Sequence, residues 1–458
     1  MDSAVTTHLL AQRDRHVAEL SEWLAIPSIS ALPEHRPQVR RAADWAAARM
    51  RKIGLAGVEL IETPGHPIVY GEWLGAPGAP TILFYGHYDV QPVDPLHLWT
   101  TPPFTPTVRD GAIHARGASD DKGQVYMHLA AIEACMKVTG RLPVNIKCVV
   151  EGEEEVGSVH LDAFIEAHKK RLAADVVVIS DTAMFERGIP SLCYGLRGLA
   201  FVQLDVTGSS TDLHSGAFGG ALENPAFALA RILAAMKDAS GRVAIPGFYD
   251  DVRPLTPAER AEYQKLPFDE AAFAASIHAP GLTGEAGYTV LERLSARPTF
   301  EINGLGSGFQ GEGAKTVLPA RAMAKVSMRL VPDQRPDQVV DALEAYIKKI
   351  APPTVTVAVT RMHGGLPWKA SLDNPYVAAA ARAIAAGFGK PPVYTREGGS
   401  IPVVATFERI LGLPSVLFGV GLPDDRIHAP DEKLDLGNFH AGVAATAALY
   451  GEIAQVRR

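Results

Sequence analysis

The stretch Leu83-Phe84-Tyr85-Gly86-His87-Tyr88-Asp89-Val90 decides how the chain is read. An apolar run from Thr81 to Tyr85 ends in a glycine, and a histidine and an aspartate follow two residues apart. The run reads as a buried strand that stops at Gly86. Period-two geometry then places His87 and Asp89 on the same side of the extended chain. A ring that ligates, with a carboxylate to orient it or a neighbouring ligand, is a common way to build a metal site.

Working outward, apolar strands alternate with helical segments. Residues 5–25, 38–53 and a stretch from Gly123 to about Lys137 have helical character. Strands are expected at 57–62, 67–73, 143–150 and 175–180, with an irregular proline-rich loop from Pro92 to Pro106 and a helix over 160–171. Such alternation predicts an α/β domain with a mainly parallel sheet and helices on both faces. Ligands of such sheets gather outside the carboxyl ends of the strands. His87, the pair Glu154-Glu155 and Asp181 all fall at predicted strand ends, and Asp120 falls at a helix entrance.

Near Gly195 the pattern changes. A half-buried strand (198–207), a helix (224–237), a long proline-rich and acidic insert (246–300), a strand (321–331), a helix (335–350) and a strand (353–360) suggest an α+β domain inserted into the first. The first pattern returns near 370 with helices over 374–388, 401–410 and 436–454 and strands over 392–395 and 414–419. The expected organisation is a catalytic domain in two parts, 1–197 and 370–458, around an inserted domain, 198–369.

At 458 residues the chain exceeds one ordinary core. A hydrophobic share of 47%, a charged share of 21% and a net charge of −7 describe a soluble globular protein and disfavour nucleic acid or an anionic membrane as partner. No window reaches the roughly 20 apolar residues of a transmembrane helix. The N-terminal stretch lacks an apolar signal core. Cys135, Cys148 and Cys193 read as buried thiols of a reducing compartment, and the cytoplasm is the expected location.

Glu153, Glu154 and Glu155 close an apolar strand, where uncompensated carboxylates repel one another. A bound cation relieves such repulsion. Histidines together with carboxylates make a mixed N/O donor set, which suits zinc, manganese or cobalt better than magnesium or calcium.

The motifs Gly86-His87-Tyr88-Asp89-Val90, Gly117 to Gly123, Glu151 to Ser158, Ser180-Asp181 and Ile427-His428-Ala429 occur in order along nearly the whole chain. Together they resemble the M20 metallopeptidase family, and most of all its dipeptidase branch, with the carnosinases and the lactobacillal dipeptidase. The resemblance implies two zinc ions per subunit, bridged by Asp120 and a water. His87 and Asp181 would complete one site, and Glu155 and His428 the other. Glu154 would be the general base, and Asp89 would orient His87. The Asp120–Asp121 peptide would be cis. Val156-Gly157 fixes the glutamate pair as Glu154 and Glu155, so Glu153 is expected to be a solvated bystander.

The resemblance also makes the inserted domain a lid and dimerisation surface. His214 would then act in the partner subunit of a homodimer. Arg329, on a predicted strand, offers a fork for a substrate's terminal carboxylate. Thr316, Ser400 and His363 are further substrate-binding candidates. The function so implied is hydrolysis of dipeptides or very short peptides. The alternatives are an N-acyl- or N-carbamoyl-amino-acid amidohydrolase of the same fold and a non-catalytic metal-binding protein.

Overall fold

β-Branched runs such as Val176-Val177-Val178-Ile179 have no polar face to offer water, so both faces must be covered. The computed structural model, which describes residues 3–457, covers them with helices. The chain divides into two compact units. One comprises residues up to 194, 370–395 and those from 406 on; the other comprises 195–369 and 396–405.

The first unit holds a sheet in the order Ala56–Ile61, Ile68–Trp73, Asn145–Glu151, Thr81–His87, Val176–Ile179, Ser415–Leu417, Ser191–Leu196. The four central strands run parallel. The edges are antiparallel, through 56–61 with 68–73, 68–73 with 145–151, and Leu417 with Cys193. For the first of these pairs the geometry follows from connection length. Only residues 62–67 separate the first two strands, far short of the dozen or more that a parallel crossover requires.

The helix Lys122–Thr139 explains how the sheet is covered. It is buried at every position from Lys122 to Cys135, as expected of a helix surrounded by protein on all sides. Gly140, in the left-handed region at φ 70°, ends it. Leu129, Ile132, Phe84, Val150 and Val178 belong to one core with Phe439 and Leu449 of the last helix, Leu436–Ile453.

The structure differs from expectation in several places. The helix expected over 5–25 breaks at Gln12 into Ser3–Ala11 and Arg13–Leu24, and that over 160–171 breaks at His168. After the proline-rich loop, Thr107–Arg109 and Ala112–His114 form a hairpin. Its two-residue turn is Asp110-Gly111, with φ of 51° and 75°, a dipeptide suited to the positive φ values such a turn needs.

In the second unit the strand Gly198–Thr207 alternates strictly between buried and half-buried residues. It lies inside a four-stranded antiparallel sheet in the order Thr299–Ser307, Arg321–Leu330, Gly198–Thr207, Thr356–Gly365. Helices Pro225–Ala234 and Pro336–Ile350 pack through Leu229, Ile232, Val340 and Leu343 into its core. The 246–300 insert, which reads as proline-rich sequence, contains short helices. Two of them, Pro257–Gln264 and Val290–Ser295, begin with capping boxes, Thr256 with Glu259 and Thr289 with Glu292. Among the described residues no helix is long and apolar enough to cross a membrane.

Leu129 is fully buried and Leu305 is 66% exposed. Leu129→Ala is expected to lower the unfolding free energy by about 2–5 kcal/mol. Leu305→Ala should stay within about 0.5 kcal/mol of the parent. Urea denaturation of the two variants checks the assignment of the core.

Candidate metal centre

Because the central strands are parallel, their carboxyl ends meet on one edge, and the chain spends its charged residues there. His87 is the last residue of the 81–87 strand and pairs in register with Glu151. Asp181 follows the 176–179 strand, and Glu154 and Glu155 open a short 3-10 turn just beyond the 145–151 strand. Asp120 lies before the 122–139 helix, and the Asp120–Asp121 peptide is cis. His428 comes from the loop between the 415–417 strand and Lys433–Asp435, at φ 61°.

These elements bring together two groups of donors. His87, Asp120 and Asp181 form one; Asp120, Glu155 and His428 form the other, and within each group the donor atoms lie within 4.8 Å of one another. Asp120 is common to both. His87 Nε2 stands 3.0 Å from Asp120 Oδ1 and 4.0 Å from Asp181 Oδ2. His428 Nε2 stands 2.9 Å from Asp120 Oδ2 and 3.3 Å from Glu155 Oε2.

Asp89 does more than face the histidine. His87 Nδ1 lies 3.1 Å from the Asp89 carbonyl oxygen and 3.4 Å from its carboxylate. The carboxylate accepts the backbone N–H groups of Glu154 at 3.2 Å and Glu155 at 3.1 Å. One fully buried aspartate therefore fixes the histidine ring and the turn carrying both glutamates. Gln91 Nε2 donates to Glu155 Oε2 at 2.7 Å, and Glu155 Oε1 is buried with no hydrogen-bond partner among the described residues.

The electrostatics record an excess of carboxylate. Burial, then repulsion from Glu155, Asp120 and Asp89, pushes Glu154 up to about 8, with His87 opposing. Burial, with Asp121 and Asp120, pushes Asp181 well above the usual carboxylate range. Burial would also raise Asp120, but hydrogen bonds from His428 and His87 outweigh it and hold its carboxyl low. Hydrogen bonds to Asp120 and Glu155 lift His428 to about 10. Desolvated carboxylates facing one another are costly until a positive charge joins them. Two N/O groups sharing one carboxylate are suited in donor type and spacing to a pair of borderline divalent cations.

Glu153 is not the solvated bystander expected. It is 7% exposed, and its carboxylate pairs with His160 Nδ1 at 2.8 Å. It also fills the space beside Gly65, where a Cβ would fall 1.8 Å from Oε1. The extra glutamate is therefore packed between His160 and Gly65 rather than in solvent.

Other residues that hold the site escaped the sequence reading. Glu432, fully buried, accepts hydrogen bonds from the loop leading to Asp120. Asp425 accepts from Ser119 Oγ at 3.0 Å and from Lys433 Nζ at 3.1 Å. Ser180, beside Asp181, contacts the buried ring of His128 at 2.7 Å, and that ring stacks on Phe84. The signal for the first two was the acidic run flanking His428, Asp424-Asp425 and Asp431-Glu432.

The remaining candidates lie in the second unit. His214 is exposed, opposite Val317 in the ribbon Leu213–His214 with Val317–Leu318. The Gly216 N–H donates to its Nδ1 at 3.0 Å, so the neutral ring carries its proton on Nε2. Thr316 adjoins it, its carbonyl accepting from Ser215 N at 3.1 Å. Arg329 Nη1 donates to Ser400 Oγ at 3.0 Å, and Ser400 Oγ donates to the Arg197 carbonyl at 2.5 Å. His363 stacks on Phe201, with ring centroids 5.0 Å apart.

The pattern of peptidase family M20/M25/M40 matches residues 83–452. The chain is 36% identical over 460 residues to the Cys-Gly metallodipeptidase dug1 of Schizosaccharomyces pombe, covering 97% of each. It is 34% identical over 463 residues to the Beta-Ala-His dipeptidase of Homo sapiens, covering 97% of this chain and 91% of that one. Among solved structures, the dipeptidase Dug1p of Saccharomyces cerevisiae superposes with a TM-score of 0.85 at 29% identity, covering 100% of this chain and 99% of that one. The chain belongs to peptidase family M20/M25/M40, in its dipeptidase branch.

Proposed function

We propose that the chain hydrolyses the peptide bond of dipeptides, and that two divalent cations would be held by two donor groups with Asp120 in common. The observation that carries this reading is the shared carboxylate: Asp120 belongs to both donor groups, one completed by His87 and Asp181 and the other by Glu155 and His428. The mixed N/O donors favour zinc, with manganese or cobalt as substitutes. When bound, such a pair supplies a water acidified from its bulk value toward about 7 and a Lewis acid for the scissile carbonyl.

The chain's own residues do the rest. Glu154, set in place by Asp89 through its backbone N–H, takes the proton of the attacking water and returns it to the leaving amine. Asp89 also holds His87 with Nε2 toward Asp120. Arg329, steadied by Ser400, offers its fork to the terminal carboxylate of the substrate, and Thr316 and His363 are further contacts. His214, with the proton on Nε2, offers a donor to the developing oxyanion in the partner subunit of a homodimer. The 198–369 segment serves as lid and dimerisation surface in this reading. The burial of Cys135, Cys148 and Cys193 fits a cytoplasmic protein.

Glu154→Gln removes the base and leaves every proposed ligand. Turnover of dipeptides should fall by about 10²–10⁴, with metal content unchanged by elemental analysis. Parent-level turnover in that variant would overturn the assignment of the base.

Metal-stripped protein re-loaded with zinc, manganese or cobalt should cleave α- or β-linked dipeptides well ahead of N-acetyl or N-carbamoyl amino acids. The reverse preference in a hydrolysis panel would assign an acyl-amino-acid hydrolase instead. His214→Ala should cut turnover while leaving the metal content and the oligomeric state intact. Unchanged turnover would remove His214 from the mechanism.

A further inference from the structure

The residue that stands out beyond the ligands and the base is Glu432. Its position follows from a fork in the chain. Ala112–His114 and Lys433–Asp435 pair antiparallel, with Lys433 opposite His114 and Asp435 opposite Ala112. Beyond the Lys433–His114 pair the two segments diverge. One continues through Ala115 to Asp120; the other runs back from Glu432 to His428. Glu432 sits at the branch point, where its carbonyl accepts the Ala115 N–H at 3.1 Å.

Its carboxylate has no access to solvent and is saturated by the opposite branch. Oε2 accepts from Arg116 Nη1 at 2.8 Å and from Gly117 N at 2.9 Å. Oε1 accepts from Ser119 N at 2.9 Å and from Asp120 N at 3.1 Å. Arg116 is itself buried, its Nη2 donating to the Pro92 carbonyl at 3.0 Å. One carboxylate therefore curls the backbone of residues 117–120 around itself and ends on the amide of Asp120. Four residues before Glu432, His428 closes on that same Asp120 at 2.9 Å. Arg426, His428 and Asp431 all take positive φ, of 55°, 61° and 63°. Such backbone conformations persist only where surrounding contacts impose them.

We infer that Glu432 is a positioning residue that holds the Asp120 and His428 branches in register, and thereby sets the affinity of the Asp120–Glu155–His428 group more than that of the His87–Asp120–Asp181 group. The inference rests on the two-cation reading above. The asymmetry has a geometric origin. In the first group, Asp120 and His428 both lie on segments joined through Glu432, and only Glu155 is independent of it. In the second group, His87 and Asp181 are fixed by strand ends and only Asp120 depends on the fork. Glutamine in place of Glu432 keeps the length but turns one acceptor oxygen into a donor. That donor would face N–H groups, so at least one pair of these hydrogen bonds is lost. Outer partners of metal ligands are worth about 10–100-fold in metal affinity.

The test is a zinc titration of metal-stripped, full-length protein against a competing chelator, with circular dichroism to confirm folding. The parent should bind two equivalents, and Asp120→Asn should weaken both. Glu432→Gln should weaken one equivalent at least tenfold and leave the other within about threefold; the weakened one should be that lost in His428→Ala. Parent affinity at both equivalents, or equal weakening of the two, in a folded Glu432→Gln protein overturns the inference. If Glu432→Gln does not fold, Glu432→Asp is titrated and judged by the same asymmetry. A parent that binds fewer than two equivalents defeats the two-cation reading itself, and this inference with it.

Discussion

The constraint on which everything else depends is the crowding of carboxylates at one end of a parallel sheet. Asp120, Glu154, Glu155 and Asp181 converge around the buried His87 and the more exposed His428, and burial desolvates the carboxylates. A protein fold does not gather such charges for stability, because each desolvated carboxylate costs free energy unless something positive joins it. The sheet accepts the cost because its core is secured elsewhere: the 122–139 helix and the 436–453 helix bury the central strands in one apolar cluster. Packing provides the rigidity, and the strand ends provide the placement.

Rigid placement is handed outward through carboxylates that touch no reacting atom. Asp89 links the His87 ring to the backbone of Glu154 and Glu155. Glu432 links the approach to Asp120 with the loop of His428. Asp431 fastens that same loop to Thr100 through its backbone and hydroxyl. The candidate ligands thus sit on segments far apart in sequence, yet His87, Asp120, Glu155 and His428 each have a buried acidic residue nearby that accepts backbone N–H groups. Charge-assisted bonds of this kind are short and directional, which suits two donor groups that have one carboxylate in common.

How much of this could be read from the sequence depended on range. Strand-end residues were legible because an apolar run fixes where its strand stops, and His87, Asp181 and the glutamate pair follow such runs directly. Asp120 was legible from its place at a helix entrance, and the resemblance supplied its sharing between two groups. For Glu432 the acidic run flanking His428 marked the residue but not its role, which arises from a pairing between residues 112–114 and 433–435 that is remote in sequence. Glu153 misled because three glutamates in a row look solvated, whereas a turn after Glu151 buries the first of them against Gly65. The antiparallel edges and the Asp110-Gly111 hairpin were present as local signals, a six-residue connection and a turn dipeptide, but prolines nearby and strand–helix alternation overrode them. In the 246–300 insert the capping boxes at Thr256 and Thr289 were hidden in the same way.

The claim at the centre of this account is that Asp120 is shared between two cations. The most direct measurement is a crystal structure of the zinc-loaded protein with anomalous diffraction recorded on both sides of the zinc edge. The account predicts two anomalous peaks, one beside His87 and Asp181 and one beside Glu155 and His428, with Asp120 contacting both. A single peak, or two peaks of which only one touches Asp120, would contradict it.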